Sequence, residues 1–100
     1  MSQTDFSFEF LSEIEQPIEE LRAEVEQELR DLAADHTDII GASVALEELT
    51  GQATPHRYQA RIVVYMRPSD IAAVEKAPSP VTAVEEALES VERQIREYRE

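Results

Sequence analysis

Two segments of this chain repeat their apolar residues every three or four positions, and between them lies a segment in which apolar residues alternate. The first spacing places apolar side chains on one face of a helix, whereas alternation places them on one face of a strand. The two helical stripes comprise Ile14, Ile18, Leu21, Val25, Leu29 and Leu32, and then Val81, Val84, Leu88, Val91, Ile95 and Tyr98. This arrangement indicates an α+β fold, because both helical faces and the sheet need a common core.

The alternating segments predict four strands, over residues 6–11, 39–49, 57–67 and 71–77. The first carries three phenylalanines on one face, and the fourth alternates only weakly, so we expect it to be short or to lie at an edge. The inward-facing residues predicted for the second and third strands are Ile40, Ala42, Val44, Leu46, Tyr58, Ala60, Ile62, Val64 and Met66. The turn at 51–56 contains Gly and Pro, which predicts an antiparallel hairpin.

The expected helix boundaries follow from local signals. The first helix is predicted over about residues 15–34, with Ser12 as its cap, Glu15 completing a capping box and Pro17 in its first turn. The last helix is predicted to start at the Pro-Ser-Pro sequence of residues 78–80. The predicted order is therefore β-α-β-β-β-α, with a four-stranded, mostly antiparallel sheet, residues 6–11 beside 39–49, and both helices on one sheet face.

Composition indicates one domain over residues 1–100, since a chain of this length can bury a single core. The absence of cysteine excludes a disulfide scaffold and a thiolate metal site. The first residues lack the basic and apolar regions of a secretion signal, and no apolar run is long enough to span a bilayer. A cytoplasmic protein without membrane contact is therefore expected.

The formal net charge of −13 is the unusual property of this sequence, and Lys76 is its only lysine. Such a field repels phosphate backbones and anionic membranes and favours basic partners. An acidic surface adapted to a salt-rich cytoplasm is an alternative explanation, because salt screens the self-repulsion. Glutamate outnumbers aspartate seventeen to five, whereas salt adaptation usually favours both, so the explanation is left open.

No pattern for catalysis or for a cofactor is visible, and we expect neither an enzyme nor a bound metal. His36 and His56 are the only histidines and fall in predicted turns, and there is no Gly-rich phosphate-binding loop. Glutamates at four-residue spacing, such as Glu20, Glu24 and Glu28, are carboxylates that usually stay hydrated rather than chelate a cation.

Five arginines on the two helices are candidate phosphate contacts: Arg22, Arg30, Arg93, Arg96 and Arg99. Acidic residues lie four positions from most of them, which is the pattern of intrahelical ion pairing. The pairs predicted in this way are the chains Glu89–Arg93–Glu97 and Glu92–Arg96–Glu100, with Glu26 between Arg22 and Arg30. Phosphate binding and surface pairing both remain open from the pattern alone.

The last helix, residues 83–99, reads AVEEALESVERQIREYR and resembles the final helix of the ribosome hibernation promoting factors, also called ribosome-associated inhibitors. The residues that match this family's last helix are Ala83, Val84, Glu85, Glu89, Val91, Glu92, Arg93, Gln94, Ile95 and Arg96. Those that match its first helix are Leu21, Arg22, Val25, Leu29 and Leu32. The resemblance covers nearly the whole chain and implies a fold similar to that of double-stranded-RNA-binding domains.

The resemblance also implies an activity. Members of this family bind the small ribosomal subunit in the channel for messenger and transfer RNA, block translation in resting cells, and present basic residues of both helices to rRNA. Where they usually carry lysine, this chain has Glu28, Asp31, Ser90 and Glu97. The long members also have a C-terminal dimerisation domain, so ribosome pairing by that route is not expected for these 100 residues.

Two functions follow as alternatives. The first is a ribosome-associated modulator of translation under stress that binds the small subunit through the five arginines. The second is an acidic domain that kept the fold, lost RNA binding and binds a basic protein through Glu19, Glu20, Glu24 and Glu28. A homodimer through an exposed sheet edge is left open as well.

Overall fold

The observed element order matches the sequence prediction. The computed structural model describes residues 6–14, 17–36, 38–49 and 57–99. Its elements are β1 (Ser7–Ser12), α1 (Glu19–Asp35), β2 (Ile39–Glu48), β3 (Tyr58–Met66), β4 (Ile71–Ala77) and α2 (Pro80–Arg99). No described helix combines the length and the apolar character that crossing a bilayer requires.

The four strands form one sheet in the order β1-β2-β3-β4, so β1 and β4 are its edges. The pairs β2–β3 and β3–β4 are antiparallel, whereas β1 and β2 are parallel. Parallel neighbours need a crossover connection, and α1 supplies it. The predicted neighbours 6–11 and 39–49 and the predicted edge position of the fourth strand are confirmed, while the turn at 51–56 lies outside the described residues.

Both helices pack on one face of this sheet, as predicted, and a single apolar core lies between the two layers. α1 buries Leu21, Val25 and Leu29, and the sheet contributes the inward side chains of β2, β3 and β4. The apolar residues that α2 buries are Ala83, Val84, Ala87, Leu88, Val91 and Ile95. The three phenylalanines of β1 are half-buried against this core.

The two helices begin differently. Ser79 caps α2, because its Oγ accepts a hydrogen bond from the backbone N–H of Thr82 (3.2 Å), and Pro80 occupies the first helical position. α1 begins at Glu19, about four residues later than predicted, and no side chain caps it. The predicted role of Ser12 was wrong: it ends β1, and its Oγ accepts from the N–H of Ile14 (3.3 Å).

A shift in register near the start of β2 changes which isoleucine faces the core. The pairing with β3 is irregular between Ile39 and Gly41, so Ile39 is buried and Ile40 is exposed, contrary to the prediction for Ile40. A Cβ atom at Gly41 would lie 2.9 Å from the carbonyl oxygen of Ser7 on β1. Glycine is therefore needed here, because no larger residue fits between the two strands without a backbone shift.

The ends of the second helical stripe also differ from the prediction. Val81 and Tyr98 are exposed rather than buried, because they lie near the two ends of α2, beyond its fully buried middle. The sheet face opposite the helices is covered by neither of them.

Candidate nucleic-acid interface on the helical layer

Arg22 and Arg30 lie on the flank of α1 that faces the aromatic side chains of β1. The guanidinium carbon of Arg22 is 5.9 Å from the ring centroid of Phe8, and that of Arg30 is 5.1 Å from the ring centroid of Phe6. Both distances allow cation–π attraction. Arg30 also pairs with Glu26 at 2.9 Å, whereas Arg22 contacts no carboxylate in the described part of the chain. Of the two candidate phosphate contacts on α1, Arg22 is therefore the one without a competing carboxylate among the described residues.

Within the described residues, Arg93 and Arg96 of α2 do not form the ion pairs that the acidic residues four positions away predicted. Arg93 and Arg96 are exposed, and neither forms an ion pair with a carboxylate among the residues that the structure describes. The Nη2 of Arg93 lies 3.5 Å from the Oγ of Ser90, which is at the limit of a hydrogen bond. The predicted ion-pair chains on α2 are therefore wrong over the described residues, and their member Glu100 lies outside those residues. Arg99 is the last residue of α2.

A groove between α1 and α2 is lined by carboxylates, and we call it the acidic groove. Its lining residues are Glu28, Asp31, Leu32 and Asp35 of α1 and Glu92 of α2. The last turn of α1 contains no basic residue, although the partial negative charge of a helix C-terminus favours cations there. The acidic groove therefore repels anions and attracts cationic groups.

The pKa of Glu28 is raised above its ordinary value by burial and by the neighbouring carboxylates. Partial burial in the acidic groove raises the pKa of Glu28, and the negative charges of Glu92, Glu24, Glu85 and Asp31 raise it further, in that order. Neutralising this carboxyl group is thus favoured by its surroundings. A bound cation or basic side chain would relieve the same repulsion.

The acidic groove separates the candidate arginines into two sets. Arg22 and Arg30 contact rings of β1 on one flank of α1, whereas Glu28 faces α2 on the opposite flank. Arg93 and Arg96 belong to the far side of the groove, on α2. The five arginines therefore do not form one continuous basic patch.

The positions where the family usually carries lysine are not equivalent in this structure. Glu28 and Asp31 line the acidic groove, and Glu97 is exposed near the end of α2. Ser90, by contrast, is only 8% exposed, and its Oγ accepts a hydrogen bond from Gln94 Nε2 at 3.3 Å. At the other three positions, an acidic residue in place of lysine makes the surface more negative. Ser90 lies instead on the side of α2 that packs against the rest of the protein.

The four glutamates predicted as a protein-binding face are only partly brought together. Glu20, Glu24 and Glu28 follow one another at four-residue spacing and lie on one flank of α1, but Glu19 lies on another flank. The residues that complete the acidic groove, Asp35 and Glu92, were not predicted. No signal in either helix alone reveals them, because the groove exists only where α1 and α2 pack side by side.

Neither histidine contributes to a site in the described residues. His36 follows the last residue of α1, and its backbone N–H donates to the carbonyls of Leu32 (3.1 Å) and Ala33 (3.3 Å). His56 lies outside the described residues. Within the described ranges, no three His, Asp or Glu side chains are placed so that they could hold a metal ion.

Two solved structures share this fold. The N-terminal domain of Protein Y from Thermus thermophilus has a TM-score of 0.72 at 20% identity, with 90% of this chain and 94% of that chain covered. A ribosomal subunit interface protein from Coxiella burnetii has a TM-score of 0.74 at 14% identity, with 93% of this chain and 97% of that chain covered. No curated protein sequence matched the chain.

Family membership rests on a sequence match rather than on the fold. The model of the family described as Sigma 54 modulation protein / S30EA ribosomal protein matches residues 16–100. This range includes both helices and three of the four strands. The chain therefore belongs to this family of ribosome-associated translation modulators, the hibernation-factor family that its last helix resembles.

Proposed function

We propose that this protein binds the small ribosomal subunit in the cytoplasm and modulates translation there, with residues 1–100 acting as one domain. The family match over residues 16–100 supports a ribosomal partner. The observation that carries the finer proposal is that Arg93 and Arg96 of α2 are exposed and contact no described carboxylate, although the chain has a formal net charge of −13. Such guanidinium groups suit bidentate contacts with phosphate.

The distribution of charge supports α2 rather than α1 as the main contact with rRNA. α1 contains seven acidic residues and two arginines, whereas α2 contains five acidic residues and three arginines. Near an RNA backbone, the acidic groove adds repulsion that the arginines must overcome. Binding is therefore expected to be weak even at low ionic strength and to weaken further as salt rises. It should depend on a few contacts from the exposed side of α2, with Arg22 and the ion-paired Arg30 contributing from the separate flank of α1.

A second function, binding of a basic protein, is supported by the acidic groove itself. Lysine or arginine side chains of such a partner would enter between Glu28 and Glu92, and their charge would offset the burial and the carboxylate repulsion that together raise the pKa of Glu28. Glu24 and Glu20 extend this surface along α1, with Glu19 at its start on the neighbouring flank. In this case the fold is retained and RNA is no longer the ligand.

Sedimentation with purified small subunits tests the first function. Arg93→Ala combined with Arg96→Ala should weaken binding and lower the slope of log affinity against log salt by about two, since each phosphate contact releases about one counterion. Arg57→Ala combined with Arg67→Ala is the matched control, because both arginines are exposed and lie next to β3, away from the helices. The control should keep the salt slope.

The two functions predict different results for these variants, measured with small subunits and with a basic protein in turn. If the unmodified protein shows no subunit binding even at low salt, the ribosomal proposal is wrong. If Glu28→Gln abolishes binding of a basic protein while the arginine variants do not, the second function is supported instead.

A further inference from the structure

The sheet face opposite the helices combines exposed apolar side chains with charged ones. We call it the open sheet face. One of its rows runs across all four strands through the paired residues Leu11, Ala45, Arg61 and Val74. Leu11 is 59% exposed and Val74 is 50% exposed, at the two ends of this row. Ala45 and Arg61 separate these two side chains, so each edge of this uncovered face presents its own exposed apolar residue to a partner.

Charge on the open sheet face is divided between its two halves. Glu9, Glu13 and Glu47 belong to the side of β1 and β2, whereas Arg61 and Lys76 belong to β3 and β4. A shallow concavity lined by Leu11, Glu13, Glu47 and Arg61 lies on this face. One half is therefore acidic and the other basic, with apolar side chains on both.

Such a face is complementary to itself. If two copies meet face to face about a two-fold axis parallel to the strands, β1 of one copy lies over β4 of the other. Leu11 then meets the partner's Val74. Glu13 follows the Ser12–Leu46 pair and so lies beside Glu47, in the row that ends at Lys76, and it meets the partner's Lys76. The two charges cannot pair within one chain, because β1 and β4 are three strand spacings, or roughly 14 Å, apart.

We propose that a second copy of this chain covers the open sheet face, giving a symmetric dimer in which the two sheets pack against each other. Every contact then occurs twice, as in other two-fold interfaces. Facing sheets pack about 10 Å apart with their strands nearly aligned, which brings the row from Leu11 to Val74 against its own copy. The apolar contacts of Leu11 with the partner's Val74 then lie over the two edge strands, and the contacts of Glu13 with the partner's Lys76 lie in the neighbouring row.

The sheet edges are less suited to this contact than the face. At the β4 edge, the side-chain amide of Gln94 donates to the carbonyl oxygen of Ala72 (3.0 Å). A strand that paired with this edge would have to displace the Gln94 side chain from that carbonyl. β1, at the other edge, has only six residues. We therefore place the second copy on the face.

The formal net charge of −13 does not prevent this association. Twelve of the twenty-two acidic residues belong to α1 and α2, on the opposite side of the sheet. At physiological ionic strength the screening length is about 8 Å, so repulsion between the two helical layers is strongly reduced. The attraction between Glu13 and the partner's Lys76 acts over a shorter distance, so salt screens it less.

Sedimentation equilibrium over a concentration series at physiological salt tests the proposal. The unmodified chain should form a dimer, and Leu11→Glu should weaken it by at least about tenfold, because a carboxylate would be desolvated against the partner's Val74. Val81→Glu is the matched control: Val81 is similarly exposed, at 46%, but belongs to α2. A chain that stays monomeric, or a dimer that both substitutions weaken equally, would overturn the proposal.

A charge exchange tests the orientation of the two copies. Glu13→Lys and Lys76→Glu should each weaken the dimer, since each creates two pairs of like charge. Combining them should restore the dimer, because the opposite charges again face each other. Circular dichroism should show that all variants keep the fold. If the double variant is as weak as either single variant, the proposed two-fold arrangement is wrong.

Discussion

The two helices have similar apolar stripes in the sequence but are attached to the sheet to different degrees. α2 buries six apolar residues against β3 and β4 and begins with a Ser79 cap. α1 fully buries only three apolar residues, has no side-chain cap, and lies over phenylalanines that are themselves half-buried. Equal periodicity therefore does not give equal anchoring.

This difference matters for function because the two helices also differ in charge. The more weakly anchored α1 carries seven acidic residues and most of the acidic groove, whereas α2 carries the exposed Arg93 and Arg96. Self-repulsion is thus concentrated on the helix that has less apolar burial to oppose it. Arg93 and Arg96 lie on a helix whose opposite side is firmly packed, so their backbone positions are well fixed.

The largest expected effect is the difference between core truncations in the two helices. Ile95→Ala in α2 should lower the free energy of unfolding by about 2–5 kcal/mol, since the side chain is fully buried. Leu32→Ala in α1 should cost roughly half as much, because Leu32 is half-buried and lines the open acidic groove. Urea denaturation measures both values. Equal costs would show that α1 is anchored as firmly as α2.

Loss of the α2 cap should give an intermediate effect. Ser79→Ala removes the hydrogen bond to the N–H of Thr82 and should cost about 1 kcal/mol. Ser12→Ala is the control, since Ser12 has a similar local bond to Ile14 but does not cap α1, and it should cost only a few tenths of a kcal/mol. A large loss on Ser12→Ala would mean that Ser12 is needed for α1 after all. Thermal unfolding distinguishes the two variants.

The smallest expected effect concerns pH. Because the folded pKa of Glu28 is raised above its unfolded value, the native state binds a proton more readily, and the free energy of unfolding should increase as pH falls through that folded pKa. Glu28→Gln should raise stability at neutral pH by up to about 0.5 kcal/mol and reduce this pH dependence. Glu86→Gln, an exposed change on α2 outside this group of charges, is the control. A loss of stability in Glu28→Gln would indicate a favourable contact instead.

Local signals predicted most of the fold. Alternation in 57–67 correctly placed Ile62 and Val64 in the core, and the Pro-Ser-Pro sequence correctly located the start of α2. The start of α1 was misplaced because Ser12 can form its hydrogen bond equally well at the end of a strand. The bulge near Gly41 could not be predicted, since residues 39 and 40 are both isoleucine and only pairing with β3 decides between them.

The candidate site was less predictable than the fold because it depends on contacts between elements. The sequence suggested the arginines and Glu28 as candidates, but their separation by the acidic groove results from packing of α1 beside α2. Ser90 stands where the family usually carries lysine, which implies a surface position. It is buried because this flank of α2 packs near the β4 edge, where Gln94 contacts the carbonyl of Ala72.

Restoring positive charge in the acidic groove tests the central claim most directly. We compare the unmodified chain with the double variant Glu28→Lys and Asp31→Lys for affinity to purified small subunits over a salt series, with Glu9→Lys and Glu47→Lys on the open sheet face as the equal-charge control. The unmodified chain should bind measurably, and the groove variant should bind more tightly, with a salt slope steeper by about two. The control should gain less affinity. No binding by the unmodified chain and no gain in the groove variant would contradict ribosome association through the helical layer.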